Sequence, residues 1–376
     1  MTTKLLSEAH RVVIKIGSAL LVDDADGTVH RAWLTALAGD IAAMKARGQE
    51  VILVSSGAIA VGRRHLGLGN RALKLDEKQA AAATGQIRLA HAYQEVLDQY
   101  DITVAQVLVT LQDTENRRRY LNARGTLGAI LRLGGVPLIN ENDTVATDEI
   151  RFGDNDRLAA RVAAMVSADI LVLLSDVDGL YTANPDANAE ARHVPEVKDI
   201  TPQIEAMAGD SGSMVGSGGM VTKLAAAKIC LHNGCAMAIM KGTENAPLTR
   251  LLNGAQATWF KPSLTPARAR KRWIAGALQP TGKVILDAGA VTALQAGNSL
   301  LPIGVRHIVG HFDKGDAVVI ENHAGQELGR GLSAYSSRDA AKIIGRKSTQ
   351  FEALLGYRGR DELVHRDDMA LISVKR

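Results

Sequence analysis

The sequence predicts an α/β protein built on a mainly parallel sheet, and three observations carry that reading. Short apolar runs rich in β-branched residues, RVVIKI at 11–16, VILV at 51–54 and ILVLLSD at 170–176, have the length and continuity of strands buried on both faces. Between them lie stretches with apolar residues at three- and four-residue spacing, as in Trp33, Leu37, Ile41 and Met44. Glycine or a small polar residue stands at the strand exits: Gly17 and Ser18 after the first, Ser55, Ser56 and Gly57 after the second. Strand, helix, strand with such turns is the rhythm of parallel strands joined by crossover helices.

Taken in order, the first strand is interrupted by one internal cation, Lys15, which either snorkels outward or meets an anion at the strand's end. The helix carrying Trp33 to Met44 ends at Gly48, placed as its C-cap. A helical region follows from Glu77 to Tyr100, then a strand from Ile102 to Val109, a helix from Asn116 to Leu133 and a strand from Val136 to Ile139. That strand runs into NENDTVATDEIRFGDND, residues 140–156, after which Leu158, Val162 and Met165 mark a helix beginning near Asp154 or Asn155, either of which could cap it. A polar loop between a strand's C-terminal end and a helix's N-terminal end is where open α/β sheets bind ligands, with a solvated acidic loop as the alternative. Beyond the 170–176 strand, Asp178 to Tyr181 and Asn184-Pro185 read as an irregular loop. A glycine-rich turn, Gly212 to Gly219, opens a helix carrying Leu224, Ala227 and Leu231, and Ala236 to Met240 forms one more strand.

Near Lys261 the texture changes to KPSLTPARARKRW, two prolines and a basic run, followed by short strands separated by glycines. The expected division is a first domain over 1–262, a linker over 263–276 and a mostly β second domain over 277–376. Its candidate strands are Val284 to Leu286, Val305 to Val309, Ala317 to Glu321 and Leu328 to Ser333.

Composition narrows the function. With 46% hydrophobic and 22% charged residues, the chain is typical of a globular protein. Aromatics are 3% against 36 glycines, which suits close backbone approach to a small ligand better than stacking on nucleic acid. The formal charge of +4 favours anionic partners without choosing among them. No apolar run reaches membrane-spanning length and MTTKLLSEAH lacks a signal-peptide core, so a cytoplasmic protein is expected. Cys230 and Cys235, spaced C-x4-C with no second pair, read as reduced thiols around a helix end; His307 and His311 lie in an extended segment and are not read as metal ligands.

The motifs converge on anion chemistry. GSGGMVTK, residues 216–223, frees the backbone to approach a phosphate and places Lys223 about one turn into a helix, although a plain flexible turn has the same glycines. Gly67 to Ala72 matches G-x-G-x-x-A but follows a helix, which argues against a dinucleotide fingerprint, and no G-x-S-x-G elbow is present. Asp148 and Glu149 could bind a metal or form a solvated turn beside Arg151. Two lysines, several glycine turns and one carboxylate-rich loop at one sheet edge are the inventory for phosphoryl transfer by positioning and electrostatics.

The segments VVIKIGSALL, VSSGAIAVGR, INENDTVAT, RFGDND, LLSDVDGLYTANP and GSGGMVTK, in this order, resemble the glutamate kinase group of the amino acid kinase family. LDAGAVTALQAGNSLLPIGV, GDAVVI and GRGLSAYSS resemble the PUA domain attached to its bacterial members. The resemblance implies a three-layer α/β/α sandwich plus a small mostly β PUA-like domain. It also implies transfer of the γ-phosphoryl group of ATP, used with Mg2+, to the side-chain carboxylate of L-glutamate in the first step of proline biosynthesis. By position, Lys15 and Lys223 would contact the ATP phosphates and Asp156 would orient them. Ser56, Asp143 and Asn155, helped by Gly57 and Asn140, would hold glutamate. Ser175 and Asp176 would contact ATP together with Ser217, Gly218, Gly219, Met220, Val221, Thr222 and Lys223. Ser175 and Ser217 stand where threonine is expected, and the hydroxyl is kept. A homo-oligomer, dimer or tetramer, and feedback inhibition by proline are implied as well. A sister kinase acting on aspartate, acetylglutamate or carbamate would share the lysines and glycine turns but lack this polar loop and the tail. The PUA-like domain and the ARARKRW run leave RNA binding open, against a solvated linker.

Overall fold

A computed structural model describes residues 3–23, 27–69, 71–146, 154–209, 219–276 and 279–372. The chain divides into two compact units, residues 1–266 and 267–376. The first is built on strands β1 (Arg11–Ile16), β2 (Glu50–Val54), β3 (Val104–Val109), β4 (Val136–Glu141) and β5 (Ile170–Ser175). A small hairpin follows, β6 (Leu180–Tyr181) with β7 (His193–Val194), then β8 (Glu196–Val197), β9 (Ala236–Lys241) and β10 (Ala257–Phe260). Apart from the hairpin, the described strands form one eight-stranded sheet in the order β3-β4-β2-β1-β5-β9-β10-β8.

From β3 to β9 every neighbour is parallel. The far edge of the sheet breaks the pattern, because β10 runs antiparallel to β9 and β8 pairs with β10. The sequence reading contained neither strand: ATWF is four residues long and fully buried, too short to show any periodicity. The segment 178–181, expected as irregular, contributes β6.

Strand alternation sorts the core into two layers. Val12, Ile14, Ile16, Val172 and Leu174 pack on one side with Trp33, Leu37, Ile41 and Met44, whose spacing predicted that buried helical face. Val13, Ile52, Val54, Leu171 and Leu173 pack on the other with Leu158, Val162, Leu224 and Ala227 from the Asp154–Val166 and Met220–His232 helices. Sheet between two helical layers is an α/β/α sandwich. Lys15 falls on the alternation of Val13, so the first strand's cation points into the layer of those two helices.

A second close fit sets the Leu75–Leu97 helix against the Ala58–His65 helix. A Cβ on Gly62 would lie 1.8 Å from the Ala81 carbonyl oxygen, and one on Gly85 would lie 1.8 Å from that of Ala58. The absence of a side chain at both positions lets these backbones meet.

In the second unit, β11 (Gly282–Leu286), β12 (Val305–Gly310), β13 (Ala317–Asn322), β14 (Glu327–Leu332) and β15 (Met369–Leu371) form a sheet in the order β12-β11-β13-β14-β15. The β11–β13 pair is parallel and the others are antiparallel. Val284, Leu286, Val318, Ile320, Phe351 and Leu363 lie in its separate core. The unit boundary falls inside the segment 263–276 expected as a linker, most of which is the Pro266–Gly276 helix. Arg270 on that helix is ion-paired with Asp368 at 2.5 Å, which ties it to the second unit.

Gly85→Ala should lower stability by about 3 kcal/mol, since the new methyl overlaps a carbonyl oxygen in a contact between two helices that cannot both relax. Urea unfolding checks this, and a loss below about 1 kcal/mol would mean that the helix pair slides apart easily.

Candidate active site

The strand exits at the C-terminal edge of the sheet are held in place by backbone bonds reaching past the strands. Asn142 N donates to Val109 O at 2.9 Å, Ser55 N to Ile139 O at 2.9 Å, Gly17 N to Leu174 O at 3.1 Å and Gly242 N to Ser175 O at 2.8 Å. The backbone that displays the polar residues there is therefore fixed from strand to strand.

Two consecutive residues of the Asp154–Val166 helix organise that edge. Asp156, 1% exposed, is ion-paired through Oδ1 with Lys15 Nζ at 2.8 Å, and its Oδ2 accepts Lys223 Nζ at 3.4 Å. Thr222 Oγ1 donates to the same Oδ2 at 3.0 Å. Burial by itself would raise the Asp156 carboxyl, but Lys15, Lys223 and the hydrogen bonds outweigh it and hold it below the usual carboxylate range. Lys15 at 8% exposure and Lys223 at 5% are themselves buried, so of the two roles open to Lys15 the structure selects the meeting with an anion. Asn155 turns the other way: its Nδ2 donates to Ser55 O at 3.0 Å and to Ser56 Oγ at 2.9 Å. Asn155 is thus inside the first turn and tied to the exit of β2, not the helix cap.

Beyond β4, Asn140 and Asp143 are both buried. Asn140 Oδ1 accepts the Glu141 N–H at 2.9 Å, and Asp143 Oδ2 accepts Gln86 Nε2 at 3.1 Å. Burial pushes the Asp143 carboxyl up to about 6, against the lowering effect of Gln86 and its own backbone N–H. Gly57 has a φ of 91°, the left-handed region, and a Cβ there would meet Val22 Cγ2 at 2.9 Å. At the exit of β5, Ser175 Oγ donates to Asp176 Oδ1 at 2.8 Å. Gly219 precedes the Met220–His232 helix, where Val221 is exposed. Ser217, Gly218, Asp148 and Glu149 lie outside the described residues, as does the turn 212–218.

Across the sheet these groups follow strand order. Asn140 and Asp143 belong to the end of β4 and the segment after it, Ser56 and Gly57 follow β2, Lys15 is near the end of β1, and Ser175 with Asp176 ends β5. One side offers a buried carboxylate and amides, the middle a pair of cations, the other side a hydroxyl beside a carboxylate. Such a gradient can hold an ammonium at one end and a polyphosphate at the other.

Residues 10–241 match the amino acid kinase family, and residues 282–355 match the PUA domain. The chain belongs to the amino acid kinase family. Within it, the chain is 63% identical to the glutamate 5-kinase of Paramagnetospirillum magneticum over 97% of this chain and 99% of that one. It is 58% identical to that of Dinoroseobacter shibae over 97% and 99%, and 56% identical to that of Rhizobium rhizogenes over 98% and 94%. Among the described residues of this amino acid kinase, no helix is long and apolar enough to cross a membrane.

Sequence reasoning missed three groups here: Gln86, Ser55 and Tyr93, whose hydroxyl lies 3.3 Å from Ser55 Oγ. The signal was present as a seven-residue interval between Gln86 and Tyr93, which puts both on one face of a helix.

The raised Asp143 value has a consequence for stability. Because the folded value lies above the unfolded one, the cost of burying the ionised carboxylate grows as pH rises from about 4 to 6 and is constant above that. Asp143→Asn should therefore be more stable than the parent at pH 8 by on the order of 2 kcal/mol, with the gap closing near pH 4. Urea titrations at the two pH values check it; a gap independent of pH would contradict the burial account.

Proposed function

We propose that this chain transfers the γ-phosphoryl group of ATP to the side-chain carboxylate of L-glutamate, giving glutamyl 5-phosphate for proline biosynthesis. The observation that carries the reading is the pair Asn155-Asp156, adjacent on one helix, the first bonded to the β2 exit and the second holding both lysines. One rigid turn thereby couples an acceptor side to a phosphate side. The high identity to three curated glutamate 5-kinases over nearly full length supports the same acceptor.

The acceptor carboxylate, with a reference pKa of about 4.3, is already ionised at pH 7 and needs no general base. Its difficulty is approach to a triphosphate of like charge. Lys15 and Lys223 offset that repulsion, and Asp156 aims them. Asp143 takes the substrate ammonium, and Ser56, Gly57, Asn140 and Asn155 shape the space around the rest of the amino acid. Ser175, Asp176 and the turn 217–223 take the nucleotide. Mg2+ would come with the nucleotide, because it needs only one or two protein oxygens beside phosphates, and the described residues hold no cluster of three or more ligating side chains. When bound, it neutralises phosphate charge. Proline inhibition, a dimer or tetramer and a cytoplasmic setting belong to this reading through the resemblance alone.

Incubation with ATP, Mg2+ and hydroxylamine should yield hydroxamate from L-glutamate and about a hundredfold less from L-aspartate, whose shorter chain leaves the carboxylate on the order of 1 Å short when the ammonium sits at Asp143. Equal turnover of both acids, or of neither, would refute the assignment.

The two sides of the site should also separate kinetically. Lys223→Ala is expected to lower kcat by about a hundredfold with a smaller rise in the glutamate KM, since its contact strengthens as charge develops on the transferring group. Asp143→Ala should chiefly raise the glutamate KM, since the ammonium contact is the same in ground and transition states. A parental kcat in the first variant, or a parental KM in the second, removes that residue from its role.

A further inference from the structure

The Leu75–Leu97 helix carries three polar side chains at seven-residue spacing, and each one reaches a different part of the acceptor side. Gln79 Nε2 donates to Ala146 O at 3.2 Å, Gln86 Nε2 to Glu141 O at 2.7 Å and to Asp143 Oδ2 at 3.1 Å, and the Tyr93 hydroxyl meets Ser55 Oγ at 3.3 Å. Seven residues is almost two full turns, so the three lie in one stripe down a single face. The helix carrying them is fixed in depth by Gly85, the residue next to Gln86, at its contact with Ala58.

Gln86 is the centre of the stripe and is buried. A glutamine amide has two N–H donors. Here Nε2 spans the last carbonyl of β4 and the carboxylate two residues further on, which sets the distance between the strand's end and Asp143. Gln86 is uncharged, so it orders a carboxylate without neutralising it. A lysine or arginine at this place would satisfy Asp143 completely and compete with any ammonium. Among the described residues, the influences on the Asp143 carboxyl are its burial, the Gln86 amide and its own backbone N–H, with no charged side chain among them. Among the described residues, no cation takes up the remaining acceptor capacity of Asp143.

We infer that Gln86 is a positioning residue for the acceptor amino acid: it holds Asp143 ionised and aimed at the substrate ammonium while leaving it unneutralised. The inference rests on the reading of Asp143 as the ammonium contact. Gln86 does not touch the transferring phosphoryl group, so its effect belongs to acceptor affinity and to the proton equilibrium of Asp143.

The test is steady-state kinetics of the full chain between pH 5 and 9 for Gln86→Met, which keeps the volume and removes the donor, and for Gln86→Glu, which keeps the shape. Both should raise the glutamate KM at pH 7.5 by about tenfold, with kcat within about twofold and the ATP KM unchanged. Both should also move the acid limb of kcat/KM for glutamate upward by about one pH unit, because a lost donor leaves the ionised form of Asp143 less favoured. A purely structural role would lower stability and leave that limb in place. Asp143→Asn is the companion variant. If it leaves the glutamate KM unchanged, the reading of Asp143 fails and the inference falls with it. If it raises the KM while both Gln86 variants keep the parental acid limb, the inference alone is overturned. Failure of both Gln86 variants to fold would assign the residue to the framework and likewise overturn it.

Discussion

The site depends on one electrostatic constraint: two buried ammonium groups sharing one buried carboxylate. Lys15 and Lys223 could not both lose water next to each other without Asp156, because an unpaired buried charge costs several kcal/mol. The carboxylate in turn is stable only because both cations and the Thr222 hydroxyl face it. Among the described residues, one carboxylate there faces two ammonium groups. Charged groups fixed in place by one another in this way are preorganised in the electrostatic sense. Asp156 also lies in the first turn of its helix, where a negative charge is favoured by the exposed N–H groups.

The sheet translates that cluster into a directional site. Lys15 points to the cluster because its position on β1 has the same parity as Val13, and the adjacent helices of that layer bring Asp156 and Lys223 to meet it. Asn155, one residue earlier and rotated by about 100°, reaches the exit of β2 instead. The helical geometry alone separates the two sets of contacts, with no intervening loop.

Much of this was legible in the sequence, for definite reasons. Unbroken apolar runs such as ILVLLSD identify strands buried on both faces, and the single lysine in RVVIKI marks its own position as unusual. The polar segment after β4 and the glycine-rich segment before Lys223 stand out by composition and spacing, and residues 147–153 and 210–218 within them lie outside the described residues. What escaped had no local signature. The strand ATWF is too short to have a period, and its antiparallel direction is set by pairing with β9. Gly62 and Gly85 look like helix weaknesses until their shared contact is known, since a close approach is a property of two segments. Gln86 sits in an alanine-rich helix and reads as an ordinary surface residue until the carbonyl of Glu141 and the carboxylate of Asp143 are placed beside it. The helical character of the 266–276 segment was masked by its basic run, whose Arg270 finds its partner nearly a hundred residues later.

The order β4-β2-β1-β5 also works as a measuring scale. Parallel neighbours lie about 4.8 Å apart, so three steps separate the exit that leads to Asp143 from the exit that carries Ser175 by about 14 Å. Hydrogen bonds past the strand ends keep those graduations from drifting. The two cations on Asp156 stand at a fixed mark between them. A change in the segment after β4 would leave the marks on β2, β1 and β5 where they are, since each is set by its own strand. A sheet of this kind lets one edge segment diverge while the groups displayed by its neighbours keep their spacing.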